Sequence, residues 1–123
     1  MEKVKVTERG WPGHFCCAPY CLFRRNTLLE YKDIKIVVST VGGYVASVDY
    51  DKFSRIGINR FYETMAFHAL ADDDRYHDAD VERVVQFDSK WSIDHLDADD
   101  EANEMHENVV NELTDRLLKV ELE

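Results

Sequence analysis

The side chains best suited to chemistry crowd into residues 11–30, W-P-G-H-F-C-C-A-P-Y-C-L-F-R-R-N-T-L-L-E, which hold all three cysteines, both prolines and the first histidine. Thiolates together with an imidazole are the ligands of a tetrahedral zinc site, so His14, Cys17 and Cys21 form a candidate metal set. The spacing lacks a second C-x-x-C pair, and a fourth ligand such as His68 or His77 would have to come from far along the chain. The competing reading is structural: small apolar thiols buried beside Phe15 and Phe23. A nucleophilic cysteine needs a base and an electropositive setting. His14, Arg24 and Arg25 are near enough to supply both, yet no local signature of a thiol enzyme is matched.

A second chemistry is electrostatic. The formal charge of −10 is unevenly divided: residues 1–71 carry ten Lys/Arg against seven Asp/Glu, and residues 72–123 carry five against eighteen. On the last predicted helix, Asp99, Asp100, Glu101, Glu104, Glu107, Glu112 and Asp115 avoid the apolar stripe and extend over roughly 24 Å at about 1.5 Å per residue. Duplex DNA carries one charge per about 1.7 Å of axis, so seven carboxylates reach half its density. Asp72, Asp73, Asp74, Asp78 and Asp80, if their turn lies beside the helix, bring the surface to the same order. Such a surface imitates nucleic acid and fits a basic protein partner; the competing reading is a solvated acidic face. Direct nucleic-acid binding is disfavoured, because these carboxylates repel phosphate. The aspartates around 72–80 do not match a calcium loop, which needs a glycine at its sharp turn and a distal glutamate.

The elements that position these groups follow from periodicity. A chain of 123 residues, 45% hydrophobic and 33% charged, fits one α+β domain over 1–123 with a real core. Residues 4–7 alternate as a short edge strand. Residues 22–31 and 34–41 read as a hairpin about Lys32-Asp33, with Gly42-Gly43 stopping the second strand. Residues 44–59 read as a long connection. In residues 60–69, Phe61, Met65 and Phe67 share one face of an extended segment, although a helical reading stays open. Residues 81–87 supply the partner for a second hairpin. Asp97 is a good N-cap, and Ala102, Met105, Val109, Leu113, Leu117 and Val120 keep the three-and-four spacing of an amphipathic helix from about residue 98. Four or five antiparallel strands covered by this helix make a two-layer sandwich. The odd cysteine count argues for reduced thiols, and no apolar run reaches the roughly 18 residues of a membrane span, so a cytoplasmic protein is expected.

Gly13-His14-Phe15, Cys17-Ala18, Cys21, the run from Phe23 to Leu28, Val38-Ser39-Thr40-Val41-Gly42, the run from Tyr62 to Ala69, Asp78-Ala79-Asp80-Val81 and Met105-His106-Glu107 together resemble a family of small proteins encoded by phages, prophages and other mobile elements. The likeness covers most of the chain. It points to no active site, and Cys16 falls at a variable position of the pattern. Small acidic proteins of mobile elements are similar in style to inhibitors of host defence, including anti-CRISPR proteins. The resemblance therefore implies a non-enzymatic inhibitor of a host nucleic-acid-binding complex, with a CRISPR effector as the expected partner.

Overall fold

The computed structural model describes residues 3–9, 21–44, 61–72, 77–95 and 97–119. Six strands form one antiparallel sheet: β1 (Lys5–Glu8), β2 (Cys21–Tyr31), β3 (Ile34–Tyr44), β4 (Tyr62–Ala69), β5 (Ala79–Val85) and β6 (Ser92–Ile93). The order is β1-β2-β3-β4-β5, and β6 joins the sheet beside the start of β4. Among the described residues one helix, α1 (Asp99–Leu118), packs across β2, β3 and β4. The expected α+β sandwich is therefore the observed fold.

The first hairpin turns at Lys32, whose φ of 55° supplies the left-handed step that a two-residue connection requires. In β3, every residue from Ile36 to Val41 is at most 1% exposed, as befits a central strand buried on both faces. Even-numbered residues of β3 and β4 face α1. Leu29, Ile36, Val38, Ala66 and Val85 pack there against Val109, Val110, Leu113 and Leu117. Each such valine, leucine or isoleucine stabilises the fold by roughly 1.5–3 kcal/mol on leaving water. On the opposite face, Leu28, Val37 and Ala69 form a smaller cluster.

Within the segment, Tyr62–Ala69 is a strand, but its helix-facing side carries Tyr62, Thr64 and Ala66 rather than Met65 and Phe67, while Phe61, just before the strand, packs against the helix-side cluster of Phe23, Tyr62, Ile93, Ala98, Ala102 and Met105. The strand is buried on both faces, so polarity alone did not reveal which side meets the helix. Gly42 does not stop β3, which runs on to Tyr44. Phe23, Gly42 and Tyr62 are cross-strand neighbours, and the two rings meet edge to face over the glycine with centroids 5.9 Å apart. A glycine without a side chain makes room for the rings, and the rings cover its backbone.

The helix start also departs from expectation. Asp97 is not the N-cap; it takes a left-handed φ of 56°, Ala98 occupies the cap position, and α1 begins at Asp99. The Tyr62 hydroxyl accepts the Ala98 N–H at 3.1 Å and donates to Asp99 Oδ1 at 2.9 Å, so a strand residue caps the helix from across the interface. Strand β5 starts two residues earlier than the alternation suggested, and β6 was not foreseen because two residues show no period.

Gly42→Ala is expected to destabilise the protein by roughly 1–3 kcal/mol, because the added methyl would overlap the Tyr62 ring and force two strands and the helix start to shift. Urea denaturation measures this directly, and a midpoint equal to the parent's would contradict the packing described.

Candidate partner-binding surface

The helix is held in place by a polar chain that runs through the core. His106 is 0% exposed, and its imidazole lies between two strands, with Nε2 2.7 Å from Thr27 Oγ1 and Nδ1 2.7 Å from Thr40 Oγ1. Thr40 in turn lies 2.6 Å from Thr64 Oγ1, and Thr27 donates to Glu8 Oε2 at 2.9 Å. The direction of the chain follows from proton counting. An ionised carboxylate only accepts, so Thr27 spends its one proton on Glu8 and must accept from His106 Nε2–H. Neutral His106 then accepts at Nδ1 from Thr40, which accepts from Thr64. One tautomer satisfies the whole row.

Arg25 completes the network at the surface. Its Nη2 lies 2.6 Å from both Glu8 Oε2 and Glu107 Oε1, bridging β1, β2 and α1. Burial pushes the Glu8 carboxyl up, but hydrogen bonds from Arg25 and Thr27 more than reverse this, and its pKa lies below the ordinary value. Burial first, and then the Arg25 guanidinium, hold His106 down to about 4 against the opposing pull of Glu8 and Glu107. Protonating Nδ1 would also force the Thr40 hydroxyl to turn round. Arg25, Thr27, Thr40, Thr64, His106 and Glu107 thus meet at one point from β2, β3, β4 and α1.

The acidic residues divide by role. Successive helix residues are about 100° apart, which places Asp100, Glu104, Glu107 and Asp115 along one ridge opposite the buried stripe, with Glu101 at its flank. All five are exposed. Glu107 shares Arg25, and Glu101 lies 3.2 Å from His95 Nε2, whose pKa is raised by hydrogen bonding to Asp94 and then to Glu101. Asp99 is engaged by Tyr62.

Glu112, grouped with the binding carboxylates by sequence, has a structural task. Its side chain is only 19% exposed and accepts from the backbone N–H groups of Asp88 and Ser89 at 2.8 Å and from Ser89 Oγ at 2.6 Å. Burial raises its pKa, and these bonds outweigh that effect and hold it below the ordinary value. Arg116 donates to the Gln86 carbonyl at 2.7 Å, so one helical turn anchors the chain between β5 and β6.

Asp72, Asp78 and Asp80 belong to the hairpin end of β4 and β5, not to the helix. Asp80 is tied to Arg83 at 3.0 Å and to the Glu82 N–H. Asp73 and Asp74 lie outside the described residues, as do His14, Cys16 and Cys17. Cys21 opens β2 as a buried residue. Among the described residues, no group of three or more His, Cys, Asp or Glu side chains could hold a metal ion, and no helix is long and apolar enough to cross a membrane. No family model matches this chain, and comparison with curated proteins and with solved structures gives no match.

Sequence reading passed over His106, Tyr62 and Val110. His106 sits next to the apolar Met105 at the right helical offset, but a lone histidine on a stripe gives no sign of the threonines that receive it.

Two outcomes follow. The unfolded chain takes up the His106 proton near its ordinary pKa of 6.5 and the folded one only near 4, so this group's contribution is complete above about pH 6.5 and is lost as pH falls towards 4, roughly 3 kcal/mol in all. His106→Leu is expected to cost about 1–3 kcal/mol at pH 7, through the hydroxyls it strands, and to flatten the stability profile between pH 6.5 and 5. Equal slopes for parent and variant in urea melts across that window would refute the assignment. Glu112→Gln should speed amide hydrogen exchange at Asp88 and Ser89 by at least about tenfold while leaving β3 amides unchanged, which exchange followed by NMR would show.

Proposed function

We propose that this protein is a non-enzymatic inhibitor that binds an electropositive host protein through the carboxylate ridge of α1. In its narrower form, the partner is a nucleic-acid-binding defence complex such as a CRISPR effector, and the ridge occupies a basic channel in place of nucleic acid. The observation that carries this reading is the alignment of Asp100, Glu104, Glu107 and Asp115 on one side of a helix whose opposite side is fully committed to the core. The row extends over about 22 Å, the axial length of roughly six phosphates of one DNA strand at about 3.4 Å each, but is sparser in charge. It supports imitation of a stretch of backbone by a protein ligand, and it disfavours contact with nucleic acid itself. Binding of this kind is steered by long-range attraction and weakens with salt.

The structure narrows which acids to test, because reversing Glu112 would release the β5–β6 connection and confuse folding with binding. With Asp100, Glu104 and Asp115 all changed to Lys, retention of host proteins on the immobilised chain should fall roughly tenfold or more at low salt, while the circular dichroism spectrum stays that of the parent. Proteins retained by the parent should be released by raising the ionic strength and displaced by duplex DNA. Retention that is indifferent to salt, or unchanged in the triple variant, would overturn the proposal.

A further inference from the structure

We infer that His95 is a proton-operated clasp at the start of α1: its imidazolium ties the β6–α1 connection to the helix and engages Glu101, and loss of the proton opens the tie. His95 lies just beyond β6, and its ring reaches a carboxylate on each side. Nδ1 is 3.3 Å from Asp94 Oδ1 in the connection, and Nε2 is 3.2 Å from Glu101 Oε1 in the first turn of the helix. An ionised carboxylate only accepts, so each ring nitrogen must carry a hydrogen to bond its partner, and only imidazolium carries two. Neutral imidazole has one N–H, and the other nitrogen then turns a lone pair on a carboxylate. One of the two contacts is lost. His106 differs because its partners are hydroxyls, which can donate as well as accept.

The surrounding charges agree with this direction. Among the described residues, the charged groups acting on His95 are Asp94 of the connection and Glu101 of α1, and both are negative. Lys90, ahead of β6, acts on Asp94, while Asp97 and Asp99 act on the Tyr62 hydroxyl. Hydrogen bonding to Asp94 and then to Glu101 holds the His95 pKa above its ordinary 6.5. The His95 side chain is 52% exposed, so its proton exchanges readily with solvent and each contact is individually weak. A group whose pKa is raised on folding contributes fully below its unfolded value, so the clasp is closed below about pH 6.5 and opens as pH rises through the folded midpoint.

The rest of the junction is held by groups that do not titrate in this range. The Ala98 N–H is bound by the Tyr62 hydroxyl, whose pKa burial raises above 10, and Tyr62 also donates to Asp99. Opening the clasp therefore releases Asp94 and His95 and leaves the helix start in place. It also removes one positive charge and frees Glu101, which flanks the carboxylate ridge. Proton occupancy of His95 thus adjusts the charge that this end of the helix shows to a cationic partner. That consequence rests on the ridge reading; the clasp itself does not.

The test is a pH titration of the isotopically labelled full chain across the imidazole range, followed by NMR at the His95 ring and the Glu101 side-chain carboxyl. The His95 midpoint is expected above 6.5, with the Glu101 carboxyl moving at the same midpoint. Glu101→Gln and Asp94→Asn should each lower that midpoint, and His95→Gln should erase the inflection at Glu101 while the β3 amides keep the parent's shifts. A midpoint at or below 6.5, or one that Glu101→Gln leaves unmoved, would overturn the clasp. Its consequence is read on the immobilised chain as the ratio of host-protein retention on the alkaline side of the midpoint to that on the acid side. The parent's ratio should exceed that of His95→Gln roughly twofold at low salt, the effect of one unit charge at about 10 Å in water. Equal ratios would overturn the regulatory role, whereas absence of retention at either pH would overturn the ridge reading and leave the NMR titration to decide the clasp.

Discussion

The neutral imidazole of His106, fixed between Thr27 and Thr40, is the contact on which the arrangement of this molecule turns. A buried polar group left without partners costs more than an apolar one in the same place, so the helix must sit where each hydroxyl and ring nitrogen finds its mate. Sliding α1 by one residue would present a different side chain to Thr27 and Thr40 and strand both. Apolar packing by Val109, Leu113 and Leu117 supplies most of the attraction between helix and sheet, but several registers could bury those residues. The hydrogen-bonded row admits one. It also couples β1 to the core, because the proton that Thr27 gives to Glu8 decides which nitrogen of the imidazole carries hydrogen.

From that constraint follows the division among the carboxylates. Glu8 lies at the end of the polar row and Glu107 shares its arginine, while Asp99 is drawn to Tyr62 and Glu112 is turned inward onto backbone amides. Asp100, Glu104 and Asp115 project, with Glu107, from the side away from the core. Identical chemistry thus serves as a partner for a tyrosine hydroxyl, as an anchor for backbone amides or as surface charge according to the helical angle at which it stands. The strong negative balance of the second half is in part structural, and the part left on the helix surface is narrower than the composition suggests.

Much of the architecture was legible beforehand for a definite reason. The run 34–41 is rich in β-branched residues and follows 22–31 across a two-residue turn, and Ala102, Met105, Val109, Leu113 and Leu117 repeat at the helical period; both signals arise from neighbours a few positions apart. Where such local order ran out, the reading erred. Gly42 looks like a terminator until the rings of Phe23 and Tyr62 are laid across it, and Asp97 looks like a cap until Tyr62 arrives from another strand. The candidate binding site was legible only as a set of charges, with Glu112 included, since nothing near it in the chain announces Ser89 as its partner.

By itself, then, the order of amino acids determined the kinds of element, their approximate limits, the apolar stripe of the helix and the concentration of acid in the second half, all consequences of period and composition. Tertiary structure alone decided which face of β4 meets the helix, which carboxylates are bound inward, and that Thr27, Thr40, Thr64 and His106 form one row. The physical reason is that hydrogen bonds and ion pairs depend on separations of a few ångströms between residues as much as 82 positions apart in the chain, and no local pattern records such distances.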